Sequence, residues 1–146
     1  MNKLLKIVII LIIIGLICGL GVYIYVFHKP QRNLANEKPT FTLTASILIK
    51  QFSEKEDSCF KLYGNKAIQV NGKIADISKK GDLIQNIVLE NSSSGVNCNF
   101  DSLYSIENSM KIAKFKIGDS IILKGKCDGY DILMGVVLSR CCIVEK

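Results

Sequence analysis

The sequence predicts a mostly β domain, a five-stranded barrel preceded by an α-helix, carried behind an N-terminal transmembrane helix. Three observations predict it. Residues 7–27, IVIILIIIGLICGLGVYIYVF, form an unbroken run of 21 residues without a charge. Beyond residue 66 come five short runs in which apolar and polar residues alternate, the period of a half-buried strand. Only one connection between those runs, the third, is long enough to hold a helix.

The apolar run comes first. At a rise of about 1.5 Å per residue it reaches roughly 30 Å, the thickness of a bilayer's hydrocarbon core. It has no polar face, unlike the buried helix of a soluble core. Tyr23 and Tyr25 lie near its end, where aromatic rings suit the headgroup region. A cleaved signal peptide would be shorter and end in small residues, whereas this run continues for eight residues beyond Gly19 with no A-x-A pattern. Residues 7–27 therefore read as an uncleaved membrane anchor. A lipoprotein would use Cys18, but Ile17 stands where a small residue is required.

Lys3 and Lys6 precede the span and Lys29, Arg32 and Lys38 follow it, so the positive-inside count is balanced. Residues 1–6 form a short charged tail like the n-region of a signal sequence. The expectation is a single pass through the cytoplasmic (inner) membrane, with the tail inside and the C-terminal domain extracytoplasmic. Without Lys3 and Lys6 the net charge of +6 falls to +4. The remaining charges are interspersed, a solvated surface rather than the dense basic stripe of many nucleic-acid binders.

Residues 28–43, HKPQRNLANEKPTFTL, are polar and contain Pro30 and Pro39, which exclude a continuous helix. They read as a stalk, with the domain at residues 44–146. Thr44 is a candidate N-cap, and Leu48, Phe52, Cys59 and Tyr63 recur at roughly helical spacing up to the stop at Gly64. The polar centre SEKEDS predicts a bend.

From Ala67 the period becomes two. Ile68, Val70 and Ile74 mark the first strand, with Gly72 as a bulge or coil. SKKGD reads as a turn, residues 83–90 as the second strand, NSSSG as a turn and residues 95–100 as the third strand. In DSLYSIENSMKIAKFKIGDS, Leu103, Ile106 and Met110 permit a short helix. Residues 120–127 and 135–144 complete the set, with turns or bends at Gly118, Asp119 and Gly125. Five strands with a helix between the third and fourth is the layout of an OB-fold barrel.

The stretches KPQRNLANEKPTFTLTA, LYGNKAIQVNGKIADI, VNCNF and KIGDSIILKGKCDGYDILMGVVLSRCCIV resemble the tRNA-anticodon-like OB-fold proteins of bacteria, many of which carry an N-terminal anchor or lipoprotein signal. The similarity is strongest at Gly125, Cys127, Gly129, Tyr130 and Cys141. The resemblance implies the fold and, by name, nucleic acid.

Five cysteines lie outside the span, an odd number that cannot all pair within one chain. No C-x₂-C spacing occurs and the one histidine is His28, so neither a metal site nor a cofactor is expected. Adjacency of the third and fifth strands would let Cys98 approach Cys141, with Cys127 beside them. A turn centred near Asp131 would place Cys127 opposite Gly135, unless a bulge at Ser139 and Arg140 alters the register. A disulfide and a set of small buried thiols both remain open.

Catalysis is not expected. The domain lacks a histidine base. SCFK at residues 58–61 matches S-x-x-K without the companion motifs of serine acylases, and fits a solvent-facing helix turn. OB-folds that hold single strands stack bases on aromatics in a basic groove. Here the second and third strands offer one aromatic, Phe100, and no lysine between Lys80 and Lys111. The ligand-binding candidates are Lys79, Lys80, Phe100, Tyr104 and Tyr130, whose plainer roles are solvated turn lysines and aromatics packed over the barrel. The expected function is a membrane-anchored, non-catalytic binding module for an envelope protein or glycan. The alternative is a cytoplasmic domain that binds single-stranded nucleic acid.

Overall fold

The computed structural model describes residues 3–27 and 34–145. Residues 1, 2, 28–33 and 146, which include parts of the expected tail and stalk, lie outside the described residues. Two units result, Met1–Arg32 and Asn33–Lys146. The first carries α1 (Lys3–Phe27), within which Leu4–Val26 is long and apolar enough to cross a membrane.

The second unit runs β1 (Phe41–Thr44), α2 (Ala45–Glu54), α3 (Glu56–Tyr63), β2 (Ala67–Lys80), β3 (Leu83–Leu89), β4 (Val96–Asn99), α4 (Ser102–Glu107), α5 (Ser109–Ile112), β5 (Ser120–Asp131) and β6 (Gly135–Ile143). The sheet order is β1-β2-β3-β4-β6-β5, and β2 also pairs with β5, so β2 to β6 close into a barrel. The added strand is β1.

Closure depends on one long strand serving two neighbours. Residues 67–73 of β2 pair with β5, and residues 74–80 pair with β3. Gly72 stands at the changeover, where a Cβ would lie 2.9 Å from the Ala45 Cβ. A larger residue would push α2 off the barrel. The last seam is the parallel β4–β6 ladder, Val96 opposite Val136 and Cys98 opposite Leu138. It starts where the Val136 N–H donates to the Gly95 carbonyl at 3.1 Å. Gly135 has φ 83°, and a Cβ there would fall 2.2 Å from the Gly95 oxygen. Only glycine combines that backbone angle with that approach.

Inside the barrel Ile68, Val70, Ile87, Leu89, Val96, Leu123, Val136 and Leu138 are fully buried. Helix α2 adds Ala45, Leu48 and Phe52 to this core. Its start is capped as the sequence predicts, with Thr44 Oγ1 accepting from the Ile47 N–H at 3.4 Å. The expected bend is a break at Lys55 (φ −147°, ψ 65°) between α2 and α3. Helices α4 and α5 lie against β3, and the Ser105 hydroxyl donates to the Ile84 carbonyl at 2.9 Å.

Several expectations are corrected. Residues 41–43, assigned to the stalk, form β1 together with Thr44, because Phe41 and Leu43 alternate with threonines and add a parallel strand to residues 68–71 of β2. The turn read at SKKGD is confined to Gly81 and Asp82, since Lys79 and Lys80 still pair with Ile84 and Leu83. The fourth barrel strand runs on to Asp131, and the hairpin turn is residues 132–134. Cys127 therefore faces Leu138, not Gly135. The register shift foreseen near Arg140 is present. Gly125 faces two residues, Arg140 at φ 52° and Cys141, and a Cβ on Gly125 would lie 2.6 Å from the Cys141 sulfur.

The N-terminal part of this unit is fastened by a buried lysine. Lys124 Nζ donates to the Ala35 and Glu37 carbonyls at 2.9 and 2.7 Å, and Leu34 is buried. An ammonium out of water needs such acceptors.

Gly135→Ala should destabilise the domain by about 3 kcal/mol, from backbone strain plus displacement of the β4–β6 seam. Denaturant midpoints measure it, and an unchanged midpoint would contradict the closure described.

Candidate functional site

Barrels of this layout present their ligand face on the outside of the second and third strands, here β3 and β4, flanked by the β2–β3 and β5–β6 turns. Cross-strand partners share a face. Asp76 pairs with Val88, Ser78 with Asn86, Val88 with Asn97 and Asn86 with Asn99, so these residues line the outer surface. The row is uncharged except for Asp76. None of these residues is a lysine or an aromatic; Lys80, opposite Leu83, continues the same face at the end of β2.

The amides are linked. Asn86 Nδ2 donates to Asn97 Oδ1 at 3.1 Å, and Asn97 Nδ2 donates in turn to the Met134 carbonyl in the β5–β6 turn. This ties β3, β4 and the hairpin tip together. Asn86 Oδ1 is buried with no hydrogen-bond partner among the described residues. The turn itself is held by Asp131, whose Oδ1 accepts from the Leu133 and Met134 N–H groups at 2.8 and 3.1 Å. Ile132 and Leu133 on that tip are 86% and 83% exposed.

The aromatic candidates point elsewhere. Phe100 is buried and stacks on Tyr104 at 5.9 Å between centroids. The Tyr104 hydroxyl accepts from the Ile143 N–H at 2.9 Å. Tyr130 is half-buried and stacks on Phe52 at 6.3 Å. Lys79 and Lys80 are exposed at the end of β2, beside the Gly81 turn. The structure thus pairs Phe100 with Tyr104 and leaves Tyr130 and the two lysines apart from them.

All six cysteines are free thiols, and five are buried. Positive φ at Arg140 turns Cys141 inward toward Cys98; the Cys141 thiol donates to the Leu138 carbonyl at 3.7 Å and the Cys98 thiol to the Val96 carbonyl at 3.8 Å. Burial pushes the Cys141 thiol well above its usual range, reinforced by Cys98 and Cys142. Burial likewise raises Cys127 to about 11, against the Gly129 backbone hydrogen bond and Lys126. Such thiols keep their protons at neutral pH, and the thiolate is the nucleophile and metal ligand. Among the described residues no group of three or more His, Cys, Asp or Glu side chains is placed to hold a metal ion. Nor does any hydrogen bond among them join Ser58 to Lys61 of the SCFK motif. Ser58 lines a shallow groove of about 260 Å³ beside Lys55 and Cys59.

The comparisons bear on the family and the fold. The family model described as tRNA_anti-like matches residues 1–143. The chain belongs to the tRNA_anti-like family. Among solved structures, a Klebsiella pneumoniae lipoprotein provisionally named as nucleic acid-binding superposes with TM-score 0.54 at 16% identity, over 70% of this chain and 91% of that one. Entamoeba histolytica asparaginyl-tRNA synthetase, in complex with asparaginyl-adenylate, gives TM-score 0.41 at 15% identity, over 56% of this chain and 21% of the synthetase. The OBody AM3L09, bound to hen egg-white lysozyme, gives 0.43 at 15% identity, over 58% and 87%. At 16% identity the likeness to the Klebsiella lipoprotein speaks for the fold alone. No curated protein matches the chain. The tRNA_anti-like domain is therefore an OB-fold barrel with an extra N-terminal strand and an apolar helix ahead of it.

Sequence reasoning missed the amide row and the hairpin tip. Alternation in VNCNF signals the outward asparagines, and three large apolar residues inside a turn, ILM, signal the tip.

A thiol that holds its proton more tightly folded than unfolded adds stability that is complete below about pH 9 and lost as the pH climbs to about 11. Stability measured by denaturant titration should therefore fall across that window, and less steeply in Cys127→Ala. Equal slopes for the two proteins would contradict burial as the cause.

Proposed function

We propose that this tRNA_anti-like chain is a membrane-anchored, non-catalytic binding module with its domain on the extracytoplasmic side. The ligand sits on the outer β3–β4 face. The carrying observation is the composition of that face, hydrogen-bonding amides without a stacking ring, while Phe100, Tyr104 and Tyr130 pack internally. Asn86 and Asn99, the accessible amides of the row, read donors and acceptors along a polar chain, which fits a peptide or glycan of the cell envelope. The anchor in this reading is α1, uncharged from Ile7 to its end. Protonated, buried thiols and no histidine in the domain leave recognition as its chemistry.

A second reading has the domain bind single-stranded nucleic acid. The name of the Klebsiella lipoprotein and the exposed Lys79 and Lys80 favour it. Against it stand Asp76 on the ligand face and the absence of a base-stacking platform there.

Two measurements separate the readings. Protease added to intact, outer-permeabilised cells should digest the domain, and protection until the membrane is lysed would overturn the extracytoplasmic placement. The detergent-solubilised full chain should show no affinity for single-stranded RNA or DNA at low salt. Binding that weakens steeply with salt and is lost on Lys79→Ala/Lys80→Ala would establish the second reading.

A further inference from the structure

The β5–β6 turn carries a feature that ligand recognition on the amide face does not use. Ile132, Leu133 and Met134 are consecutive, apolar and 86%, 83% and 52% exposed. A hairpin turn is ordinarily polar, because its backbone groups look for water. Here they are supplied from within. The Leu133 and Met134 N–H groups donate to Asp131, and the Met134 carbonyl accepts from Asn97. The turn offers three aliphatic side chains on a loop that its own neighbours keep in shape, with those polar groups already satisfied. Apolar side chains with internally paired backbone are what a bilayer accepts.

We infer that this tip inserts into the outer part of the bilayer that holds α1, so that the domain rests on the membrane through residues 132–134 as well as through its tether. The inference rests on the anchor reading above. Residues 28–33 are all that separate Phe27 from Leu34, a reach of at most about 25 Å for a fully extended chain. A domain on so short a tether stays at the bilayer surface, where an exposed aliphatic tip meets lipid at high effective concentration. Asp131, at the base of the turn opposite Gly135, stays at headgroup level. Contact through the tip would orient the adjoining amide face with respect to the membrane, because Asn97 joins the two.

The chain contains no tryptophan, so one can be introduced as a reporter. The full-length Leu133→Trp chain is reconstituted into vesicles of neutral and anionic phospholipid, with and without brominated acyl chains. Full-length Ile117→Trp, at a 65% exposed site beside the Gly118 turn, serves as the comparison. Co-flotation with the vesicles reports the anchor separately. The expected result is blue-shifted emission for Leu133→Trp that loses intensity in brominated vesicles, with neither change for Ile117→Trp. Co-flotation with unquenched, water-like emission from Leu133→Trp overturns the tip while leaving the anchor intact. Blue-shifted emission without quenching also overturns it, and assigns the tip to a protein surface such as a second copy. Failure to float removes the anchor and with it the tether on which the tip depends.

Discussion

The approach of Gly135 to Gly95 is the contact on which the rest of the molecule depends. A parallel pairing between the third and fifth strands of the barrel has to begin where two turns meet, and the chain solves this by placing glycine on both. The Gly135 φ of 83° and the 2.2 Å that would separate its Cβ from the Gly95 oxygen leave no alternative side chain. Once the seam forms, residues 96–98 and 136–138 join the barrel wall. Val96, Cys98, Val136 and Leu138 become interior, and the alternate positions Asn97 and Val137 face outward. The amide row and the dry core are two sides of one closure.

Closure also explains how the polar side chains are used. Asn97 is only 7% exposed although it lies on the outer face, and both of its functional groups are engaged, one with Asn86 and one with Met134. A buried amide is stable only when so paired. Arg140 is exposed and acts through its backbone. Its left-handed conformation inserts an extra residue opposite Gly125 and turns the Cys141 thiol into the core beside Cys98. A bulge of this kind re-aims a side chain at the expense of local strain. The cysteines pack as small hydrophobes, and Gly125 leaves the space that receives one of them.

Much of this fold is legible in the amino-acid sequence. Five barrel strands follow from period-two alternation, the Thr44 cap from its position ahead of an apolar repeat, and the break at Lys55 from the polar run SEKEDS. What stays hidden is non-local or depends on a register. Strand β1 is four residues long and pairs with β2 in parallel across more than twenty positions of chain, so nothing near FTLT announces its partner. The hairpin turn has three apolar residues, which reads as strand, and a register shift between Cys127 and Gly129 follows it; the displaced turn and that shift bring Cys127 opposite Leu138 rather than Gly135. The site suffers most. Aromatic residues signal a stacking platform by type alone, but direction decides their use, and direction is set by helices α2 and α4, against which Tyr130 and Phe100 stack. The asparagines carry the better signal through their alternation with Val96 and Cys98.

Hydrogen exchange at the Val136 amide tests the closure most directly. In a closed barrel this N–H is bonded to Gly95 and covered by the core, so it should exchange only through opening of the whole domain, as slowly as the amides of the β2–β5 ladder. Exchange at the rate of an unpaired edge strand, with β2–β5 still protected, would mean that β4 and β6 are not joined. The outer amide face would then have no fixed geometry, and neither the barrel closure nor the binding surface built on it would stand.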